Sequence, residues 1–363
     1  MQNALLEKRL ESLKTIIGSD DQALLLTNEK NIGYFCGFFH SEGYLLVTKN
    51  ETVLFVDFRY YEAALKKSSC CKVVCFTKLF KDLISEVKNN SVVKVLFEAS
   101  NITVEKYSRF KKAFSENGFE CICNGTLDDK IDNIRCIKDE SEIEKIAKAQ
   151  EITEKSYLEV LNYLKPGVSE RRIALELEHL IKLNGGEGVS FDLITITGKK
   201  TSLPHGVPSD DIVSEGDFFT FDIGSIFEGY HSDTTRTVAI KSASEEMRKV
   251  YDIVLKAQLA VLDGVKPGAK CSDVDKIARD IISENGYGKY FGHATGHGVG
   301  LDIHESPVVS PRSETVLKKG MIITDEPGIY LPDKFGVRIE DMLCVTDTGY
   351  KNFVSIPKEL IIV

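Results

Sequence analysis

The second half of the chain carries an internal repeat, which limits the possible folds more than any other feature of the sequence. Lys165-Pro166-Gly167 precedes a predicted helix that ends at Asn184-Gly185. Lys266-Pro267-Gly268 precedes another that ends at Asn285-Gly286, and all five matched positions are 101 residues apart. A period near 100 residues is too long for a solenoid. The repeat therefore predicts two similar α/β halves that face each other, and a cleft between such halves is a natural ligand site.

The first part of the chain alternates strand-like and helix-like segments instead of repeating. The strand-like segments are QALLLT, GYLLV, TVLFV, KVVCF, VKVLF and ECIC. Apolar residues at helical spacing fall near 3–16, 78–88 and 103–115. This pattern predicts an α/β domain with a mixed sheet. It weakens near Asp128, so we place an N-terminal domain at residues 1–130 and a second domain at residues 131–363, as expected for a chain of 363 residues.

Composition excludes several classes of protein. With 46 Lys and Arg against 55 Asp and Glu, the net charge is −9, which argues against nucleic acid or an anionic membrane as the partner. No run reaches the 18 or so apolar residues of a membrane-spanning helix. The nine cysteines follow no zinc or disulfide spacing, and many lie in apolar runs where thiols pack as small hydrophobic groups. With no recognisable secretion signal, free thiols predict a cytoplasmic protein.

Each half of the repeat presents a predicted hairpin with two acidic residues. If Phe227-Glu228 is a two-residue turn, Asp222 lies opposite Asp233. The segments MIITDEPGIY and GVRIEDMLCV place Glu326 opposite Glu340 in the same way. Facing carboxylates destabilise a sheet unless positive charge lies between them. Four carboxylates in one cleft therefore predict about two divalent cations, as in two-metal hydrolytic sites.

Histidines gather beside these acids. Four of the seven fall at His205, His293, His297 and His304, three of them in the glycine-rich run FGHATGHGVGLDIHE. Any one of them could be a buried core histidine, but as a cluster they are typical of a neutral imidazole ligand and its surroundings. The run lacks the GxxxxGK[ST] and helix-opening GxGxxG patterns of nucleotide sites. No GxSxG nucleophile motif is present either.

These residues resemble a known family, the pita-bread metallopeptidases that cut Xaa-Pro bonds, aminopeptidase P and prolidase. The matching stretches are SFDLITITGKKTSLPHGVPS, GDFFTFDIGSIFEGYHSDTTRT, GHATGHGVGLDIHE, TDEPGIY and GVRIEDML, with NIGYFCGF, FVDFRYYEAA and IRCIKDESEIEKI upstream. The resemblance covers nearly the whole chain. It implies an N-terminal creatinase-like α/β domain followed by a pseudo-twofold pita-bread catalytic domain, together α/β (α+β) in class.

The resemblance also implies roles for individual residues. It makes Asp222 a ligand of one metal, Asp233 and Glu340 bridging ligands, and His297 and Glu326 ligands of the second metal. Glu326 is also the implied proton shuttle. The implied substrate-binding and proton-handling residues are His205, His293, His304 and Arg338. The implied reaction is attack on the carbonyl before proline by a hydroxide held between two divalent metals, manganese or else cobalt or zinc, in a homodimer.

Several alternatives stay open at this point. The substrates are small peptides with proline second, but the sequence does not choose between a dipeptidase and an aminopeptidase for longer peptides. A methionine-aminopeptidase-like or other amide hydrolase, a metal-free relative and a non-catalytic scaffold are the other readings. The aromatic loop of residues 37–43, which contains His40, is either buried core or a segment that reaches a partner subunit's active site.

Overall fold

The computed structural model describes residues 2–39 and 42–363. The chain divides into two compact units, Met1–Ile134 and Arg135–Val363. Among the described residues, every helix falls short of the length and apolarity needed to cross a lipid bilayer. His40 and the neighbouring Ser41 lie outside the described residues, so the role of that loop stays a prediction.

The first unit is a mixed sheet with helices. Its helices are α1 (Gln2–Lys14), α2 (Glu29–Cys36), α3 (Phe58–Lys67), α4 (Leu79–Asn89), α5 (Val104–Ser115) and α6 (Thr126–Cys136), the last of which runs into the second unit. Its strands are β1 (Gln22–Leu26), β2 (Tyr44–Val47), β3 (Thr52–Val56), β4 (Lys72–Cys75), β5 (Lys94–Phe97) and β6 (Glu120–Ile122). Each strand coincides with one of the six strand-like segments of the sequence.

The sheet order is β4-β3-β2-β1-β5-β6. Strand β2 runs antiparallel to β1 and β3, whereas the β1–β5, β5–β6 and β3–β4 pairs are parallel. Strand β3 is buried along its whole length and is apolar after Thr52, as expected for a strand with both faces covered. Phe97, Phe110 and Phe114 pack edge to face or at a tilt in the core. The prediction of a mixed α/β sheet is confirmed.

The second unit contains the repeat. Its helices are α7 (Glu140–Val160), α8 (Glu170–Leu183), α9 (Glu245–Gly264) and α10 (Cys271–Glu284), with short 3-10 turns at Leu161–Tyr163, Gly198–Ser202 and Gly288–Tyr290. Its strands are β7 (Gly188–Val189), β8 (Ile194–Thr197), β9 (Phe218–Ile223), β10 (Ser225–Phe227), β11 (Tyr230–His231), β12 (Thr234–Ala239), β13 (Gly296–Gly298), β14 (Glu305–Val309), β15 (Ile322–Asp325), β16 (Gly328–Leu331), β17 (Phe335–Arg338), β18 (Asp341–Val345) and β19 (Tyr350–Asn352). They form sheets of order β11-β10-β7, β12-β9-β8, β14-β13-β15-β18-β19 and β16-β17.

The two halves of this unit repeat one another down to single hydrogen bonds. Helices α8 and α10 are both 14 residues long. The Gly167 N–H donates to Val213 O, and the Gly268 N–H donates to Leu317 O, each at 2.9 Å. Both glycines have positive φ, 91° and 88°, which explains why each half needs glycine at this turn. The predicted internal repeat is present in the fold.

The first acidic hairpin differs from its prediction. The turn residues are Glu228-Gly229, because the ladder pairs Phe227 with Tyr230. Both turn residues have positive φ, 46° and 79°, as a type I′ hairpin turn requires. Asp222 therefore lies opposite Thr235, and its predicted pairing with Asp233 is wrong by two residues. Since side chains alternate with a period of two, this shift leaves both aspartates on one face.

The second acidic hairpin has the predicted register. Gly328 pairs with Arg338 on one side of the acidic pair, and Asp325 pairs with Asp341 on the other. Glu326 therefore lies opposite Glu340. Their backbone N–H groups bond to other parts of the unit. The Glu326 N–H donates to Thr295 O at 2.8 Å, and the Glu340 N–H donates to Thr235 O at 3.1 Å. The hairpin is thereby tied to the glycine-rich segment and to the first hairpin.

Candidate metal centre

The two hairpins and the glycine-rich strand bring five oxygen and nitrogen donors together. One donor atom each from Asp233, His297 and Glu340 lies within 4.8 Å of the other two. The His297 Nε2 atom is also 3.5 Å from Oε1 of Glu326. Asp222 lies close enough to Asp233 for its charge to raise the pKa of that carboxyl. The structure thus groups Asp233, His297 and Glu340 with Glu326 beside them, and places Asp222 near Asp233. Their role as metal ligands stays a prediction.

Burying Asp233, Glu326 and Glu340 close together is electrostatically unfavourable. Burial, followed by the charges of neighbouring carboxylates, raises the pKa of Asp233 and of Glu340 well above the usual range. Burial also raises the pKa of Glu326 to about 8. Such shifts indicate a cluster of negative charge that lacks sufficient compensating positive charge.

His297 is oriented as a neutral donor. Burial lowers the pKa of its imidazole to about 4. Its Nδ1 lies 3.0 Å from Gly298 O, so the ring proton is donated to that carbonyl. Nε2 is then left unprotonated and faces Asp233 and Glu326, each at 3.5 Å. This is the tautomer that a metal ligand needs.

A hydrogen-bonded chain borders the acidic cluster on one side. The Arg338 guanidinium pairs through Nη2 with Asp222 and donates through Nη1 to the Tyr330 hydroxyl at 2.8 Å. The Tyr330 hydroxyl lies 2.9 Å from His293 Nε2. Because His293 Nδ1 faces Ala294 O at 2.8 Å, Nε2 accepts the tyrosine proton. Burial lowers the pKa of His293 to about 4, which agrees with a neutral ring.

The two remaining predicted histidines are exposed. The His304 ring stacks edge to face on the His297 ring, with centroids 4.3 Å apart. His205 lies near enough to His293 to affect its pKa. Both exposed imidazoles therefore border the acidic cluster from the solvent side, where a substrate can reach them.

The glycine-rich run has a packing reason. A Cβ at Gly296 would lie 2.0 Å from Thr324 O, and one at Gly298 would lie 2.3 Å from Ser306 O. Strand β13 therefore passes between β14 and β15 at a distance that only glycine allows. His297 between them is fixed in place by this close packing.

Sequence reasoning missed several neutral or remote residues that hold the site. Thr235 donates to Glu340 Oε2 at 2.7 Å, and Tyr330 links Arg338 to His293. On α10, Asp275 accepts from the Thr295 N–H at 3.1 Å, while Arg279 donates to His293 O at 2.9 Å. Thr235, Tyr330 and Asp275 share one signal, a polar side chain at a buried position of a helix or strand, which a hydropathy pattern could have flagged.

The donor set fits a divalent cation. Among the described residues, Oε1 of Glu340 is buried without any hydrogen-bond partner, although a buried acceptor normally has one. Arg338 offsets only part of the charge of four carboxylates. One imidazole and several carboxylates form a set of nitrogen and oxygen donors that suits manganese, cobalt or zinc. The residues present therefore fit the bound metal that the sequence implies.

Comparison with known proteins agrees with this site. Residues 144–347 match the profile of metallopeptidase family M24, and residues 9–137 match the creatinase/prolidase N-terminal domain. The chain is 39% identical over 358 residues to the Xaa-Pro dipeptidase of Pyrococcus furiosus, covering 98% of this chain and 100% of that enzyme.

Solved structures give the same result. An Xaa-Pro dipeptidase from Bacillus anthracis superposes with a TM-score of 0.94 at 38% identity, covering 99% of this chain and 100% of that one. An X-Pro aminopeptidase from Thermotoga maritima gives a TM-score of 0.90 at 34% identity, covering 97% of this chain and 99% of that one. The chain belongs to metallopeptidase family M24, whose members use divalent metal ions, and it carries a creatinase/prolidase-type N-terminal domain.

Proposed function

We propose that this protein is a metal-dependent exopeptidase that hydrolyses the bond between an N-terminal residue and proline. The observation that carries the proposal is the convergence of donor atoms from Asp233, His297 and Glu340, with Glu326 beside them. One buried Glu340 oxygen there has no hydrogen-bond partner among the described residues. Relatives that match nearly the whole chain are named Xaa-Pro dipeptidase or X-Pro aminopeptidase. A substrate with proline second lacks the N–H that ordinary peptidases bind, so a dedicated site is expected.

The proposed centre holds two divalent metals, manganese in the first instance. Asp222, Asp233, His297, Glu326 and Glu340 are its proposed ligands. Bound metal supplies a Lewis acid for the scissile carbonyl and lowers the pKa of a water molecule. Four carboxylates are more than a single divalent ion needs for charge balance, which supports a pair of ions.

The exposure of each side chain indicates which residues can contact the substrate and carry a proton. The side chain of Glu326 is 18% exposed, against 6% for Asp233. Glu326 can therefore meet the substrate and carry a proton toward the proline nitrogen, whereas Asp233 cannot. The exposed imidazoles of His205 and His304 donate hydrogen bonds to the substrate carbonyl and carboxylate. His293 and Arg338, joined through Tyr330, fix the wall against which the proline lies.

The test is metal-restored hydrolysis. The purified protein is stripped with chelator, given manganese, cobalt or zinc separately, and assayed on Ala-Pro and on a longer Xaa-Pro-Pro peptide. We expect metal-dependent cleavage of at least one substrate. Cleavage of the dipeptide alone identifies a dipeptidase, and release of the first residue from the longer peptide identifies an aminopeptidase.

Two results would contradict the proposal. Metal binding without cleavage of either substrate would indicate another amide substrate, such as an N-terminal methionine peptide. Neither metal uptake nor activity would indicate a non-catalytic scaffold. The homodimer and the cytoplasmic location stay predictions from sequence, to be tested by light scattering and by fractionation.

A further inference from the structure

We infer that Thr235 is a positioning residue that fixes the orientation of the Glu340 carboxylate in the metal centre. This inference rests on the proposed metal centre and deepens it. Thr235 lies in β12 and is 0% exposed. It carries no charge, and no ligand pattern of the sequence includes it. Its side chain nevertheless lies between Arg338 and the carboxylate of Glu340.

The hydroxyl of Thr235 has a fixed direction. Arg338 Nε donates to Thr235 Oγ1 at 3.0 Å, and Thr235 Oγ1 lies 2.7 Å from Glu340 Oε2. An arginine is always protonated and can only donate, whereas a hydroxyl has a single proton. The Thr235 hydroxyl must therefore accept the hydrogen bond from Arg338 and donate its own hydrogen bond to Glu340.

This single contact separates the two oxygens of Glu340. Oε2 accepts the hydrogen bond from the threonine hydroxyl, while Oε1 is buried without a hydrogen-bond partner among the described residues. Glu340 also belongs to the group of donor atoms that includes Asp233 and His297. Oε1 is thus open to a cation, and the hydrogen bond to Oε2 fixes the direction in which the carboxylate faces.

The backbone holds the same pair of residues together. The Glu340 N–H donates to Thr235 O at 3.1 Å, so Glu340 is bound by Thr235 through both the main chain and the side chain. A β-branched side chain in a strand has few χ1 rotamers, which keeps the hydroxyl aimed at the carboxylate. The threonine thus orients Glu340 at little entropic cost.

The same strand offers a matched control. Thr237 is two residues away, is 1% exposed, and donates to Arg338 O at 3.1 Å. Within the described part of the chain, its hydroxyl has no hydrogen bond to a carboxylate. Thr235→Val and Thr237→Val therefore each remove one buried hydroxyl beside the same arginine, but only the first alters the orientation of Glu340.

The experiment is calorimetric titration of Mn²⁺ into chelator-stripped protein, with wild type, Thr235→Val, Thr235→Ser and Thr237→Val compared. We expect Thr235→Val to raise the Mn²⁺ dissociation constant about 10- to 100-fold. Thr235→Ser should recover most of the affinity, because it keeps the hydroxyl. Thr237→Val should bind as wild type does. Circular dichroism checks the fold, and Thr235→Ala replaces Thr235→Val if the latter does not fold.

The outcomes separate this inference from the proposed function. If wild type binds Mn²⁺ and Thr235→Val binds it equally well, the positioning role is wrong and the metal centre stands. If Thr237→Val weakens binding as much as Thr235→Val, the effect is general destabilisation and the inference also fails. If wild type takes up no Mn²⁺, Co²⁺ or Zn²⁺, the metal centre and the inference fall together.

Discussion

The two acidic hairpins of the second unit place their carboxylates in a similar way, but the partners of those carboxylates differ. In each, the acid from the earlier strand is partly accessible, with side-chain exposures of 14% for Asp222 and 18% for Glu326. The acid that follows the turn, Asp233 or Glu340, is buried. Asp222 has an arginine partner, whereas Glu326 accepts a hydrogen bond from the Thr324 hydroxyl at 3.2 Å.

Asp222 and Glu340 each have a partner from the opposite hairpin. Arg338 of the second hairpin pairs with Asp222 of the first, and Thr235 of the first donates to Glu340 of the second. Each half therefore orients a carboxylate of the other. The contacts that join the two repeated halves into one site differ from one half to the other. Neither hairpin could form the site alone.

The largest expected effect is the loss of a carboxylate from either hairpin. Asp222→Asn and Glu340→Gln should each lower kcat/KM on Ala-Pro by at least ~100-fold, since metal-based stabilisation is worth several kcal/mol. Steady-state kinetics at saturating manganese measures this. Glu314→Gln, which changes an exposed carboxylate of the same unit, is the control. Full activity in both test variants would show that the site is wrong, and loss in only one would show that the hairpins are not equivalent.

The next effect concerns the cross-hairpin ion pair. Arg338→Met should lower the free energy of unfolding of the metal-free protein by about 3–5 kcal/mol, because it leaves buried carboxylates uncompensated. Urea denaturation measures the change. Arg171→Met removes an exposed pair with Asp210 in the same unit and should have little effect. Equal stability of Arg338→Met and wild type would mean that the two hairpins are held together by other contacts.

The pH dependence of the metal-free protein tests the charge of the cluster. Asp233, Glu326 and Glu340 have pKa values raised by burial, to about 8 for Glu326. The folded state therefore binds more protons than the unfolded state, and stability falls as pH rises through that range. The buried His293 and His297, with pKa values lowered to about 4, oppose this trend only below their ordinary pKa of 6.5.

The useful window is accordingly between about pH 6.5 and pH 8. Across it, the urea midpoint of the stripped protein should decrease, and saturating manganese should abolish or reverse the decrease because the metal takes the place of protons. Glu326→Gln should show a weaker decrease than wild type. A midpoint that is flat or rises in the stripped wild type would contradict the described burial of uncompensated carboxylates.

The smallest effect is expected at the turn that sets the first hairpin's register. Gly229→Ala places a side chain at a φ of 79° and should cost about 1 kcal/mol of stability. Gly188→Ala is the matched control, because Gly188 lies in the same small sheet, lacks positive φ and has open space around its Cβ position. Equal stability of the two variants would contradict the Glu228-Gly229 turn.

Much of this arrangement was predictable from sequence because it depends on short-range periodicity. The paired strands, the repeat and the faces of the four carboxylates all follow from alternation and from turn residues. Even the error at the first hairpin left Asp222 and Asp233 on one face, since the shift was two residues. What sequence could not supply were the contacts between hairpins. Thr235 and Tyr330 are neutral residues in buried strands, and their roles depend on which distant side chain each one contacts.

The most direct test of the account is a crystal structure of the protein soaked or grown with Mn²⁺, with data collected at the manganese absorption edge. The account predicts two anomalous peaks about 3.5–4 Å apart among Asp222, Asp233, His297, Glu326 and Glu340, with the Thr235 hydroxyl still hydrogen-bonded to Oε2 of Glu340. Peaks elsewhere, or none in a protein that is active and fully folded, would contradict the proposal that the two hairpins form one metal centre.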